Sequence, residues 1–179
     1  MTMLAFKNTK VTKGQLVRSL EAHGEADRIV KGQYWRDGKG CAVACTLRDF
    51  DARAAVEGHH ARYAALFGIP EELARLEDAL FERLPNGTAK AWPLRFANAI
   101  RTGADLSMVW PQWALWLCKY ELPRHANDGS ALSAIKGVAV LYAEWVESKV
   151  KPGSKRWRAA APADAAANPA HPPNAAAHA

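Results

Sequence analysis

The sequence predicts an all-α protein, and three observations carry that prediction. Apolar residues recur at helical spacing in one segment after another. Start and stop residues bracket those segments, and no stretch beyond Ala42–Leu47 alternates as a strand does. About six helices are expected, packed as a single compact helical domain over residues 1–150. A basic segment at 151–158 and a disordered tail at 159–179 follow it.

Thr12 and Gln15 form a capping box, so a first helix should start there, run to about Lys31 and stop at Gly32. Residues 33–50 carry Gly38 and Gly40 and lack a helical period, which predicts an ordered loop with a short helical or extended piece from Cys41. Asp51 caps a second helix through Phe67, ended by Gly68 and Pro70. Pro70-Glu71-Glu72 opens a third, striped by Leu73, Leu76, Leu80 and Leu84 and closed by Pro85-Asn86-Gly87. Thr88 caps a fourth through Trp92, Phe96 and Ile100, closed by Gly103. Trp110 to Tyr120 is apolar almost all round, which predicts a central helix with Trp110, Trp113, Trp116 and Cys118 in the core. The last, Ser130 to Val150, puts Leu132, Ile135, Val138, Tyr142 and Trp145 on one face.

The chain has 179 residues, 49% of them hydrophobic and 23% charged, which are globular values. The most apolar stretch, Leu106 to Cys118, is interrupted by Pro111 and Gln112 and is too short to cross a bilayer, so no membrane association is expected. Lys7 and Asn8 cut off Met3–Phe6 as a secretory signal, and three cysteines, an odd number, point to free thiols in a reducing cytoplasm. Half of the net charge of +6 falls in residues 151–179, so a general nucleic-acid surface is not indicated. Within 151–158, Lys151, Lys155, Arg156 and Arg158 surround Trp157. Pro152-Gly153 should leave them on a mobile strap capable of weak, nonspecific nucleic-acid binding; the other reading folds Trp157 back on the core. Residues 159–179 hold 12 Ala and 4 Pro, a composition that cannot offset its ordering entropy.

Polar residues at inward positions mark the candidate site. Leu16, Leu20, His23, Asp27 and Val30 share one helix face, so His23 and Asp27 should point inward and need partners. In the loop Gly38-Lys39-Gly40-Cys41, a helical turn opening at Cys41 would lower its thiol pKa, with Cys45 one turn later. His60 shares a face with Val56, Tyr63 and Phe67, while His59 faces solvent. Glu77 sits among Leu73, Leu80, Phe81 and Leu84, whereas Asp78 and Glu82 read as solvated acids.

The block Tyr34-Trp35-x-x-Gly38-Lys39-Gly40-Cys41-Ala42-Val43-x-Cys45-Thr46 resembles one found in small phage and prophage proteins of uncharacterised function. The similarity extends from His23-x-x-Ala26-Asp27 to Trp92-Pro93, with Ala44 in place of a Gly and Arg48 in place of a His. It implies a phage-associated origin and no particular activity.

Three functions are compatible with these residues. In a thiol-dependent hydrolase or group transferase, Cys41 is the nucleophile, His60 or His23 the base, and Asp27 or Glu77 the group that orients it. Gly38, Lys39 and Gly40 would then hold an oxyanion or phosphate, and no cofactor is needed. In a metal-binding protein, Cys41, Cys45, His60 and His23 or Asp27 are the ligands and zinc the cofactor. In a non-enzymatic binding protein, the partner is a host protein or nucleic acid, and the inward polar groups only fix the fold. The small-molecule substrate of the first reading is undefined by sequence. No phosphate-binding loop, dinucleotide fingerprint, His-Glu-x-x-His or Gly-x-Ser-x-Gly motif is present.

Overall fold

The computed structural model describes residues 4–160. They are helical, with no β-strand longer than an isolated bridge among the described residues. Contacts divide the chain into two compact units, one up to Ser107 and one from Met108. The division falls inside the span expected to be one domain, and composition gives no sign of it.

In the first unit, α1 (Lys13–Glu25), α2 (Ala42–Arg48), α3 (Ala52–Glu57), α4 (Arg62–Phe67), α5 (Glu71–Arg83), α6 (Asn86–Ala89) and α7 (Trp92–Ala99) follow in order. The Thr12–Gln15 capping box forms as the sequence predicts, and the Asp51 carboxylate accepts from the Ala54 amide at 3.0 Å. Of the two forms open for the piece from Cys41, helical or extended, the structure has the helical one, α2, in which Ala42–Leu47 are all buried. Helices α1, α3, α5 and α7 pack around it. Tyr63, Phe67, Phe81, Leu16, Leu20 and Ile69 complete the core.

Several boundaries differ from expectation for local reasons. Helix α1 stops at Glu25 rather than Lys31, because Asp27 takes a left-handed φ of 51° and the Arg28 amide returns to the His23 carbonyl. The helix expected over 52–67 is broken at Gly58, whose φ of 65° is left-handed. A Cβ there would lie 2.2 Å from the Tyr34 ring, so only glycine lets the tyrosine sit on that turn. The fourth helix divides into α6 and α7.

Residues 4–11 strap the unit together. The Ala5 amide donates to the Ala104 carbonyl (2.9 Å), Phe6 to Phe67 (2.8 Å) and Val11 to Leu66 (3.1 Å), while the Gly103 amide donates back to Ala5 (2.7 Å).

The second unit holds α8 (Val109–Trp116), a π-helical turn (Leu117–Glu121), a 3-10 turn (Leu122–His125), α9 (Gly129–Ser148) and α10 (Ser154–Ala160). Trp116, expected in the core, is half exposed against Tyr120, because the face of α8 bearing Pro111 and Ala114 is the buried one. The basic segment is not a mobile strap. Ser154–Ala160 is a helix whose Trp157 ring packs 4.8 Å from Tyr142, while Trp157 Nε1 donates to the Pro152 carbonyl and Arg156 grips the Glu144 carboxylate. That packing withdraws the only aromatic ring offered there for base stacking. Trp157→Ala is expected to lower the stability of this unit by about 3 kcal/mol, read as a fall in the urea midpoint. The disordered tail expected from 159 begins with two residues, Ala159 and Ala160, that close α10; residues 161–179 lie outside the described residues. No helix among the described residues is long and apolar enough to cross a membrane.

Candidate functional site

The structure distributes the expected cluster over four places. Asp27, placed inward by the helical period, lies beyond the end of α1 and is exposed. Its carboxylate pairs with Lys90 and, at 3.6 Å, with Lys39, and these hold it below the usual range, the Lys90 hydrogen bond most strongly. It is therefore not positioned to orient an imidazole. His23 is buried as expected, edge-on to Trp35 and with Nε2 3.5 Å from the Asp49 carboxylate. Burial lowers its pKa, so at neutral pH the ring is uncharged. Ser19 donates to the same Asp49 carboxylate at 2.7 Å, a structural arrangement at the α1–α2 contact.

Glu77 is wholly enclosed, and Tyr63 donates its hydroxyl to Oε2 at 2.6 Å. Burial first, and then the neighbouring Asp78, push its pKa up to about 8, so it is a neutral acid at pH 7.

The remaining residues meet at one point. Cys41 is the N-terminal flanking residue of α2 and is 1% exposed. Its sulfur and carboxylate oxygens of Asp78 and Glu82 all lie within 4.8 Å of one another. His60 Nε2 is 3.0 Å from Asp78 Oδ2, which leaves Asp78 Oδ1 buried without a hydrogen-bond partner. The Gly32 amide donates to both oxygens of Glu82, at 3.1 and 3.2 Å. The site thus grades outward, from the buried thiol through half-buried Asp78 to Glu82 at the solvent edge.

This geometry bears on each reading of Cys41. The amides of Val43 and Ala44 face its sulfur, as expected at a helix start, but burial outweighs them. Together with Asp78 and Glu82, it drives the thiol well above its ordinary value. Cys45 is pushed up to about 12 for the same leading reason. His60 bonds to Asp78, whereas His23 lies 3.5 Å from Asp49 with neither buried ring nitrogen hydrogen-bonded, so the two histidines sit beside different carboxylates. The loop expected to hold an oxyanion spends its amides internally: Lys39 donates to Arg36 at 3.0 Å and Gly40 to Arg28 at 2.9 Å. The Cys41 amide donates to Gln33 at 2.8 Å. Cys45, offered as a second metal ligand, directs its thiol at the carbonyls of Gly40 and Arg28 instead.

Sequence reasoning missed Asp78 and Glu82. A signal was available, since i, i+4 spacing stacks both on one stripe of α5. What covers that stripe is the loop before α2, a contact between residues nearly forty positions apart. Comparison with protein-family models, curated proteins and solved structures finds no match, so the functional reading rests on the residues of this chain.

Proposed function

We propose that this protein binds a divalent transition-metal ion, zinc in the first instance, through Cys41, Asp78 and Glu82. The observation that carries the reading is the convergence of a buried thiol and two carboxylates within 4.8 Å, one of them with a buried, unpartnered oxygen. Without a cation these groups oppose each other: each carboxylate raises the thiol, and Asp78 raises Glu82. A bound cation reverses that balance, because it favours the thiolate and both carboxylates at once.

A thiolate among the donors favours zinc over magnesium or calcium. Zinc–sulfur and zinc–oxygen bonds of about 2.3 and 2.0–2.2 Å put tetrahedral ligand atoms about 3.5 Å apart, so small side-chain rotations bring the three donors into range. His60 fixes Asp78 from outside, and the Gly32 amide does so for Glu82. Three protein ligands with the third at the solvent edge leave a fourth position for an outside ligand. The phage-type sequence block fits this reading in placing Cys41, but names no reaction.

Elemental analysis of the purified, dialysed protein is expected to find zinc at about one ion per chain. Cys41→Ala and Asp78→Ala should each lose it, and Cys45→Ala should retain it. Cobalt substitution should give a thiolate charge-transfer band that Cys41→Ser lacks. Affinity should rise about tenfold per pH unit while the thiol remains protonated in the apo-protein, because binding releases that proton. A metal-free protein that takes up no added zinc, or zinc retained in Cys41→Ala, overturns the proposal.

A further inference from the structure

Around the C-terminal end of α5 lies a cavity of about 230 Å³ that the Cys41 centre does not use. Ile29, Phe81 and Ala89, each no more than 3% exposed, give it an apolar floor. Val30 extends that surface, and the more exposed Lys31, Asn86 and Lys90 complete the lining. Each element contributes for a local reason. The chain leaves α1 in extended form, its Val30 amide bonded to the Gly40 carbonyl at 2.9 Å, and so presents Ile29 and Lys31 toward α5 and α6. The Lys31 ammonium donates to the Leu84 carbonyl at the end of α5, which holds it at the cavity.

The charge there is unbalanced. Lys90 and Lys39 both pair with Asp27, and Lys31 stands at the same cavity. Glu82, which attracts Lys31 and accepts from the Gly32 amide, is the second carboxylate there, so three ammonium groups face two carboxylates. Lys31 and Lys90 each use one of three ammonium donors in these contacts, which leaves donors for an incoming acceptor. An apolar floor beneath a cationic mouth matches one kind of occupant: an apolar body that ends in a negative charge.

We propose that this cavity binds a small organic anion with a short apolar chain, of the class of short-chain carboxylates. The chain lies on Ile29, Phe81 and Ala89, and the carboxylate meets Lys31 and Lys90, with the Asn86 amide as a further donor. The volume is below the roughly 300–1,000 Å³ of sites for drug-sized ligands, which limits the body to a few carbons. The inference is independent of the metal reading.

The test is an amide NMR titration of the full chain in EDTA, with hexanoate, hexanol and hexylamine as probes. Saturable shifts with hexanoate are expected at residues 29–31 and 86–90. Hexanol should bind roughly tenfold more weakly and hexylamine not at all, because the mouth discriminates by charge. Lys90→Gln, at an exposed position, should weaken hexanoate several-fold and leave hexanol unchanged. Ala89→Leu, which fills the floor, should remove both. Should that variant fail to fold, Lys90→Gln decides the matter alone. Absence of saturable shifts, hexylamine binding as well as hexanoate, or an unaffected Lys90→Gln overturns the proposal.

Discussion

Replacing Glu77 by Gln is expected to abolish a loss of stability that the parent protein undergoes between about pH 5 and pH 8. Glu77 titrates near the ordinary 4.5 when unfolded and at about 8 when folded. Between those values the native state holds one proton more than the unfolded state, so stability falls as pH rises. At about 1.4 kcal/mol per pH unit the full effect is roughly 4 kcal/mol, a large fraction of a small domain's stability. The surroundings explain the sign. Complete burial raises the carboxyl most, Asp78 adds a like charge from the next position and Oε1 has no partner, while the Tyr63 hydroxyl donating to Oε2 offsets only part of this. Gln keeps an acceptor for Tyr63 and carries no charge at any pH. Urea midpoints for both proteins should be measured across this range in EDTA, so that no cation on Asp78 or Glu82 offsets the titration. Parallel pH profiles would show that Glu77 is not the neutral acid described.

Gly68→Ala is expected to be among the most destabilising single-methyl additions in the first unit. Gly68 ends α4 at φ 68°, where an L-residue costs roughly 1–2 kcal/mol. The added Cβ would also lie 2.5 Å from the Leu4 carbonyl oxygen and 3.2 Å from the Ala5 Cα. Backbone cannot swing away as a flexible side chain does, so the strap must shift and its bonds to Phe67 and Ala104 lengthen. Together the two costs come to roughly 3–5 kcal/mol. Gly32→Ala is the control. Its φ of 78° is equally left-handed, but nothing stands within 4 Å of the added carbon, so only the conformational cost of about 1–2 kcal/mol should appear. Equal losses in the two variants would mean that the strap does not press on Gly68.

The sequence signals that proved informative act within a few residues. The Thr12–Gln15 box, the Asp51 cap and the Pro70-Glu71-Glu72 start are each satisfied as local chemistry dictates, and the inward placement of His23 and Glu77 follows from helical period, whereas His60 is buried from the turn between α3 and α4. The helical argument failed at Asp27, because a periodic face continues only as far as its helix, and a left-handed residue ends this one early. Asp78 and Glu82 were hidden for the opposite reason. Their helix was legible, but their meeting with Cys41 depends on a loop from a distant part of the chain. Trp157 in the second unit is open to two readings from its cationic neighbours, and the structure has the folded-back one, its ring taken up by Tyr142 and Trp145 on α9.

The strap at residues 4–11 also sets a timetable for biosynthesis. Ala5, fully buried in the finished unit, leaves the ribosome about 100 residues before Gly103 and Ala104, its hydrogen-bond partners. At about 5–20 residues per second the interval is roughly 5–20 s, far longer than the time in which a helix forms. A nascent chain that ends at Ala99 carries Phe67 and Leu66, the partners of Phe6 and Val11, but not Gly103 and Ala104, so the Ala5 end of the strap is still unpaired. Closure of the first unit is therefore a late event of translation, and a stall before Ala104 would leave that edge exposed to proteases.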